Sequence, residues 1–426
     1  MDNSNSAVAA QGKANWHGPK QVRMIFYTGI LMFFSACLAG GSTNTILPAI
    51  CAQNGWDIDF MRTMAGIGAM CSVIGVFTFG TVIAKKGAKF TIALALFATA
   101  ICVILYGYAP TMGIFVAMIF VIGFLSGGYN GAGANSLTAN WWPLKKGIVL
   151  GFSTMAIPLM DVLWQPFIPV AFGAIGVGPT MIGVAVIVAV VGIIAITRIK
   201  NTPEEAGEHP DGDPAFSENM GEVVREMREY KSPFTAGKVF FSRATFDVGI
   251  GLGLCYMCGM SYIASIVPRL LSVGYEYPFA VIVLMVCGGG FGILGSYLTG
   301  MLDQRLGTKK ATMVFSAVMI LGMVLALFHG VSVVFVWCAG AVYSSMMGGL
   351  GNLIPSYVIT IFGRWDYIAA WRIIGAITFC FAGVGIMLTG LFHGNFQAMY
   401  IFNIVCLAAA FLILANSRDK LIGKAG

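Results

Sequence analysis

Charged side chains are scarce in this 426-residue chain: Asp, Glu, Lys and Arg make up 10% of it, against 58% hydrophobic residues. A water-soluble domain of this size would need a much larger charged share to cover its surface. The composition therefore excludes a soluble globular protein. The net charge of +7 is interpreted as a membrane-topology signal, so we expect a lipid bilayer and no nucleic acid as partner.

Motifs of catalysis and metal binding are also missing. The chain has four histidines, all predicted in tails or loops, and no His-Glu-x-x-His motif or histidine–carboxylate cluster. Cys255 and Cys258 lie in an apolar run without a second pair, which favours buried small side chains over a metal site. The glycine runs 288–292 and 348–351 are not followed by a Walker lysine. We expect no cofactor, no metal and no enzymatic activity. A membrane enzyme or a membrane sensor is the least supported alternative.

Twelve apolar runs of about 20 residues follow one another along the chain, each long enough to cross a bilayer core of about 30 Å. Their length and lack of apolar–polar alternation predict helices rather than barrel strands. The fold class is therefore an all-α membrane protein. We expect the first run to be retained, since the polar residues 1–21 contain no cleavable signal. The runs begin near Val22, Phe60, Lys89, Met112, Gly147, Thr180, Phe240, Phe279, Ala311, Ser332, Tyr367 and Gln397.

Basic residues are distributed unevenly between these predicted spans. The gaps after odd-numbered spans carry only Arg62 and Arg269. The gaps after even-numbered spans carry Lys85, Lys86, Lys89, Lys145, Lys146, Arg305, Lys309, Lys310 and Arg364. Because basic loops stay on the cytoplasmic side, both tails (1–21 and 418–426) are predicted to be cytoplasmic, in a plasma or inner cell membrane.

Residues of the two halves match at a constant separation of 220 positions. The matched pairs are Gly80 with Gly300, Gly87 with Gly307, Lys89 with Lys309, Arg23 with Arg243, and Pro48 with Pro268. One constant offset predicts an internal repeat: two six-helix bundles, 22–200 and 239–417, joined by a cytoplasmic linker, 201–238. Parallel repeats of this kind are typical of transporters whose binding site lies between two rocking bundles.

Two loops carry a family resemblance. "GTVIAKKGAKF" and "GMLDQRLGTKK" resemble the motif GxLxDRxGRR of the major facilitator superfamily, and both follow the predicted second and eighth spans. "NWWPLKKG" and "FGRWDY" resemble the corresponding loops of oxalate/formate and monocarboxylate porters. The resemblance implies a secondary transporter with a small-molecule substrate that works by alternating access, and we expect a monomer.

The same resemblance implies that the motif loops control the conformational change. The matching residues are Gly80, Lys85, Gly87, Lys89, Gly300, Asp303, Arg305 and Gly307. The motif aspartate is replaced by Ala84 in the first half, and Asp303 stands one position early in the second. The first-half latch of the family is therefore expected to be weaker or to use other residues.

A charge present in only one half is a candidate for function, because the repeated architecture does not require it. Asp161, Asp247 and Arg372 have uncharged residues at the matching positions. We predict proton coupling for the two aspartates and binding of an anionic substrate for Arg372, since guanidinium groups bind carboxylates. The alternatives are an intrahelical pair of Asp247 with Arg243, and an Arg372 that snorkels or pairs with Asp247 or Asp366.

Asp161 lies near the middle of the fifth span, where an aspartate costs about 2.5–3.5 kcal/mol on insertion scales. It shares a helix stripe with Thr154 and Gln165. Pro158 and Pro166 each remove a backbone hydrogen bond, and we expect the freed carbonyls, that of Thr154 included, to favour the protonated carboxyl. Asp161 is predicted to hold a proton when shielded and to lose it when water enters. The alternative is a structural aspartate that does not titrate.

Uncharged polar residues complete the predicted binding site, although some of them are expected to serve helix–helix packing. The candidates are Gln165, Asn44, Tyr129, Asn130, Tyr256, Tyr262 and Asn352. The predicted function is transport of a small organic anion, either with a proton or in exchange for a counter-anion. The alternative is a neutral or cationic solute, with Asp161 as its counter-charge.

Overall fold

The computed structural model describes residues 16–40, 46–214 and 220–424. This part of the chain is helical, and eleven of its helices are long and apolar enough to cross a membrane. They are Pro19–Ala39 (span 1), Ile58–Lys86 (span 2), Ala88–Gly107 (span 3), Met112–Trp141 (span 4), Lys146–Ile175 (span 5), Val177–Arg198 (span 6), Thr245–Ser272 (span 7), Tyr277–Leu306 (span 8), Thr308–Ala326 (span 9), Val333–Leu391 (spans 10 and 11) and Phe396–Ala415 (span 12). Shorter helices are Ile46–Asn54, Met220–Glu229 and Ala236–Phe240.

The helix Val333–Leu391 accounts for the difference between eleven helices and twelve predicted spans. It has 59 residues, whereas one membrane crossing needs about 20. Its backbone leaves the helical conformation only at Gly363, with φ 70° and ψ −175°, a conformation that glycine adopts without a Cβ clash. The helix therefore contains spans 10 and 11, which join at Gly363 without an intervening loop.

Two hydrophobic clusters form the interior. One is built mainly from spans 1 to 6 and includes Leu31, Ile92 and Trp142. The other is built mainly from spans 7 to 12 and includes Phe315 and Leu407. Spans 3, 6 and 12 each bury one stripe in their cluster and leave large apolar side chains exposed on the opposite side, as expected of helices that face lipid.

The described parts of both tails and of the linker meet at one end of the bundle, which we call the terminal face; the opposite end is the far face. Lys20 Nζ donates a hydrogen bond to the Ala206 carbonyl at 2.7 Å. At the other chain end, the Lys424 backbone N–H donates to the Asp366 carboxylate at 2.8 Å. The predicted cytoplasmic orientation of this face stays a prediction.

The linker is docked on loops of both halves. Arg364 donates two hydrogen bonds to the Glu204 carboxylate, at 2.8 and 2.7 Å, and both side chains are at most 2% exposed. Asp211 accepts from the backbone N–H groups of Leu144 and Lys145 at 2.9 and 2.7 Å. Burial raises the pKa of Asp211, while these two donors act in the opposite direction. The linker thus contacts the span 4–5 loop and the span 10–11 junction.

The repeated glycines mark contacts between the halves. A methyl group on Gly80 of span 2 would lie 2.9 Å from Cβ of Arg372 in span 11. A methyl group on Gly300 of span 8 would lie 2.6 Å from the Gly147 carbonyl oxygen of span 5. Equivalent positions of the repeat therefore permit close approach at two seams, one between spans 2 and 11 and one between spans 5 and 8.

Tight turns follow both motif helices, as the sequence predicts. Gly87 ends span 2 with φ 83° and Gly307 ends span 8 with φ 80°, values that disfavour any residue with a Cβ. Each glycine is immediately followed by the next span, Ala88–Gly107 or Thr308–Ala326. The two loops are equivalent in structure as well as in sequence.

Candidate functional site

A cavity of about 140 Å³ lies between the halves at the middle of the spans. Residues of spans 1, 2, 4, 5, 7, 8, 10 and 11 line it, and most of them are apolar. Asp161 is the single charged residue among the described lining residues. The polar lining residues are Ser35, Ser72, Ser126, Asn130, Asp161 and Tyr256.

Asp161 faces this cavity from span 5. The residue is 2% exposed, and its Oδ1 has no hydrogen-bond partner within the described part of the chain. Its Oδ2 lies 2.7 Å from the point where a methyl group on Gly288 of span 8 would sit. Buried carboxylate oxygens are normally bonded, so this oxygen is available to a proton, a water molecule or a solute.

Span 5 is broken just before Asp161. It consists of two helical pieces, Lys146–Thr154 and Leu159–Ile175, with Pro158 as the N-cap of the second. The expectation that the Thr154 carbonyl is free is wrong: the backbone tightens there, and the Ile157 N–H donates to it at 3.0 Å.

This break puts Asp161 in the first turn of a helix. The N–H groups of Met160 and Asp161 donate to the Ile157 and Pro158 carbonyls at 3.1 and 3.0 Å, so tight turns close this helix start. The dipole of the helix that follows still gives this end partial positive charge, which favours an ionised carboxylate. Burial in an apolar cavity favours the neutral form instead. Two opposed effects therefore act on the same carboxyl.

Two further predicted residues line the cavity, Asn130 and Tyr256. The Oδ1 of Asn130 is buried and has no hydrogen-bond partner among the residues described. Gln165 is 1% exposed and lies one turn beyond Asp161, outside the lining. Tyr129 is buried in the cluster of the first half. Asn44 lies outside the described residues.

Three predicted residues lie elsewhere in the molecule. Asn352 is fully buried next to Gly300, at the seam of spans 5 and 8. Tyr262 belongs to the interior of the second half. Arg372 contacts Gly80 at the other seam, and its Nε has no hydrogen-bond partner in the described ranges. None of the three lines the cavity, so no cation faces Asp161 there from the described residues.

Asp247 forms the intrahelical pair that its spacing also allows. Arg243 Nε donates to its carboxylate at 2.8 Å, and Asp247 is fully buried at the terminal end of span 7. Asp366, considered as a partner of Arg372, instead accepts from the Tyr230 hydroxyl at 3.0 Å. Burial raises the pKa of Tyr230, and the Asp366 carboxylate raises it further. Both aspartates are engaged away from the cavity.

Asp303 reaches the start of span 5 although its position in the motif is shifted by one. Its Oδ2 lies 2.7 Å from where a methyl group on Gly147 would sit, and it accepts from Ser356 Oγ at 2.5 Å. The first turn of span 5 favours this negative charge. Lys309 Nζ donates to the Ser417 carbonyl at 2.7 Å, whereas Lys85 and Arg305 are exposed and Lys89 is half-buried.

Sequence reasoning missed part of the lining, notably Ser35, Ser72, Ser126, Met260 and Phe379. Ser72 and Ser126 donate to carbonyls of their own helices, at 2.6 and 2.8 Å. For an isolated serine in the middle of an apolar helix, the sequence pattern does not show whether the hydroxyl faces lipid, another helix or a cavity. The mid-span position of both serines is the one available signal.

Comparisons with known proteins agree on the fold. The sequence profile of the Major Facilitator Superfamily matches residues 29–389. The human organic anion transporter MFSD10 (TETRAN) superposes with a TM-score of 0.69 at 11% identity, over 93% of this chain and 100% of that one. The proton:xylose symporter XylE, bound to 6-bromo-6-deoxy-D-glucose, gives 0.70 at 14% identity, over 92% and 95%. No curated protein sequence matches.

Proposed function

Because this chain belongs to the major facilitator superfamily of membrane transporters, we propose that it moves a small solute by alternating access and that Asp161 carries a coupled proton. One observation carries the proposal: a buried carboxyl lies in the cavity between the two halves, and one of its oxygens has no partner among the described residues. An intramembrane carboxylate is costly, and such residues commonly mark solute or proton pathways.

The proton cycle follows from the opposed effects on Asp161. While the cavity is closed, burial favours the protonated carboxyl. When one side opens and water enters, the burial penalty falls, and the helix start beginning at Leu159 favours the ionised form. Proton release and uptake are thereby linked to which side of the cavity is open, and this linkage is what coupling requires.

The lining favours a neutral or cationic solute that is largely apolar. Asp161 is the single charge among the described lining residues, and Asn130 and Tyr256 offer hydrogen bonds. An ionised carboxylate in an apolar cavity attracts a cation and repels an anion. The proton:xylose coupling named for XylE supports the idea that this fold couples a proton to a neutral solute.

A small organic anion, the solute first predicted, is the second candidate. A protonated Asp161 would carry no charge and could donate a hydrogen bond to a carboxylate. Arg372 supports this candidate, because its Nε is unpartnered in the described structure and lies at a seam between the halves. The organic anion transport named for MFSD10 agrees with it. Exchange for a counter-anion, in place of proton coupling, belongs to this candidate.

The solute class is tested first, by thermal unfolding of the purified protein with amines, sugars and organic anions. A solute that binds the folded state stabilises it by mass action and so raises Tm. At a solute concentration a hundredfold above Kd, the stabilisation is about 2.7 kcal/mol. A Tm rise confined to organic anions, and lost in Arg372→Gln, would replace our first candidate by the second.

Coupling is tested with the identified solute in proteoliposomes under an imposed pH gradient. We expect gradient-driven accumulation in the wild type and its loss in Asp161→Asn, with solute exchange retained, because the amide cannot carry the proton. The Tm of the variant checks its folding. Accumulation that Asp161→Asn leaves intact would refute the role of Asp161.

A further inference from the structure

A second polar cluster is buried in the second half, near the far face and apart from the cavity. It consists of Tyr262 and Arg269 of span 7, His329 of the turn after span 9, Tyr343 of span 10 and Tyr400 of span 12, and we call it the far-face cluster. His329 and the three tyrosines are fully buried, and Arg269 is 8% exposed. None of the five lines the central cavity.

The five side chains form one contact cluster. The rings of Tyr262 and Tyr343 lie 4.2 Å apart, between centroids. The His329 ring lies 6.4 Å from that of Tyr262 and 6.3 Å from that of Tyr400. Arg269 Cζ lies 6.0 Å from the Tyr400 ring centroid. Four separate segments of the chain thus bring polar side chains into one cluster.

Most of these polar groups have no partner among the described residues. They are Arg269 Nε, both ring nitrogens of His329, and the hydroxyls of Tyr262 and Tyr343. The Tyr400 hydroxyl is bonded to Ser265 Oγ at 3.2 Å. Leaving a buried polar group unpaired is unfavourable, so several such groups in one cluster point to a common partner.

The charge of the cluster is also uncompensated. Arg269 is in none of the ion pairs found among the described residues, and a buried cation without a counter-charge is unfavourable. Burial, reinforced by the charge of Arg269, lowers the pKa of His329 to about 4. At pH 7 the imidazole is therefore neutral and donates through one nitrogen, which leaves Arg269 as the one charge of the cluster.

We propose that the far-face cluster binds a small monovalent anion, a halide or a small carboxylate. The available groups are N–H and O–H donors around one positive charge, and none of the five side chains is acidic. A single anion accepts hydrogen bonds from the guanidinium, the imidazole and the two phenols, and it neutralises Arg269. This site is distinct from the transport cavity and does not depend on the proposed solute or on the proton at Asp161.

The proposal is tested by thermal unfolding of the full-length protein at constant ionic strength, with sodium gluconate replaced stepwise by sodium chloride. Gluconate is the reference because its six-carbon chain is too bulky for a site that takes small anions. We expect Tm to rise and saturate in chloride, since a ligand of the folded state stabilises it by mass action. Replacement by sodium acetate identifies the class: a stronger rise in acetate assigns the site to carboxylates. Equal Tm in gluconate, chloride and acetate would overturn the proposal.

Variants separate binding from general stability. Arg269→Gln removes the charge and should abolish the chloride-dependent rise, whereas Lys310→Gln, a change at an exposed lysine, should keep it. Tyr343→Phe keeps the ring packing and removes one donor, so it should shift the chloride midpoint at least severalfold while its Tm in gluconate does not fall. A chloride response that is unchanged in both Arg269→Gln and Tyr343→Phe would overturn the proposal. It would indicate that the donors of the cluster bind ordered water and that chloride acts elsewhere.

Discussion

Two opposed effects act on the protonation of the Asp161 carboxyl: burial favours its neutral form, and the start of a helix favours its ionised form. The break at Pro158 creates the helix start, and the contact with Gly288 of span 8 keeps the carboxyl at the boundary between the halves. A modest change in the burial of the carboxyl or in its position at the helix start should therefore shift its protonation equilibrium. Substitution of a non-polar residue that contacts Asp161 tests this most directly.

Gly288→Ala should impair transport by displacing the Asp161 carboxyl, because the added methyl would lie 2.7 Å from Oδ2, well inside contact distance. We expect a marked loss of gradient-driven uptake in proteoliposomes, with a smaller effect on Tm. Gly290→Ala is the matched control, since a methyl group there meets nothing within 4 Å. Equal uptake by the two variants would show that the position of the carboxyl is not critical.

Comparison of the halves selected Asp161, Asp247 and Arg372, since a charge without a counterpart in the repeat is visible in the sequence. Of these three described residues, Asp161 alone lines the cavity. The uncharged candidates Asn352 and Tyr262 also lie elsewhere, at a seam and in the interior of one half. Which side of a membrane helix faces a cavity depends on the rotation of that helix against its neighbours, and periodicity alone does not fix this rotation.

At the scale of helices, the glycines of the repeat control how closely the halves approach. Gly300→Ala would bring a methyl group within 2.6 Å of the Gly147 carbonyl oxygen and 2.8 Å of the Gly151 Cα. Backbone atoms cannot move aside as a side chain can. Overpacking of this kind typically costs about 1–3 kcal/mol.

We expect Gly300→Ala to lower Tm and to loosen the packing of spans 5 and 8 at the terminal face. A cysteine introduced near that seam should then react faster with a labelling reagent. Gly183→Ala in span 6, where a methyl group meets nothing within 4 Å, should change neither. Unchanged labelling in Gly300→Ala would mean that this seam stays closed by other contacts.

Element ends were predicted closely where an apolar run stops at charged or turn residues. Spans expected near Phe60, Met112 and Gln397 begin at Ile58, Met112 and Phe396. The prediction was less accurate where polar residues continue a helix. The segment "FGRWDY" reads as a loop, yet only Gly363 leaves the helical backbone there, because Glu204 compensates Arg364 and the Tyr230 hydroxyl bonds to Asp366.

At the scale of the whole molecule, the linker is a structural part of the terminal face. Composition rich in Glu, Asp, Pro and Gly suggests a simple tether. The buried pair of Glu204 and Arg364 shows otherwise, since a charge in the linker is buried and paired with a charge of the second half. Such a partner cannot be read from the sequence, because the two residues are 160 positions apart.

Glu204→Gln should destabilise the protein by about 3–5 kcal/mol, because it leaves Arg364 buried without its counter-charge. The matched control is Glu226→Gln in the same linker, where Glu226 and Lys424 form an exposed pair at 3.7 Å. Such pairs contribute about 0–1 kcal/mol. The measurement is the unfolding midpoint in detergent, and similar shifts for the two variants would contradict a structural role of the buried pair.

The docked tails carry a practical consequence for following the protein at work. The Trp16 carbonyl accepts from Trp142 Nε1 at 3.1 Å, in the first half, and the Ile422 N–H donates to the Ile361 carbonyl at 2.7 Å, in the second. Each end of the described chain is therefore fixed to a different bundle on the same face. Fluorophores attached at Trp16 and Lys424 would report the separation of the bundles by energy transfer, so that single molecules could be watched through the cycle without any label inside the membrane.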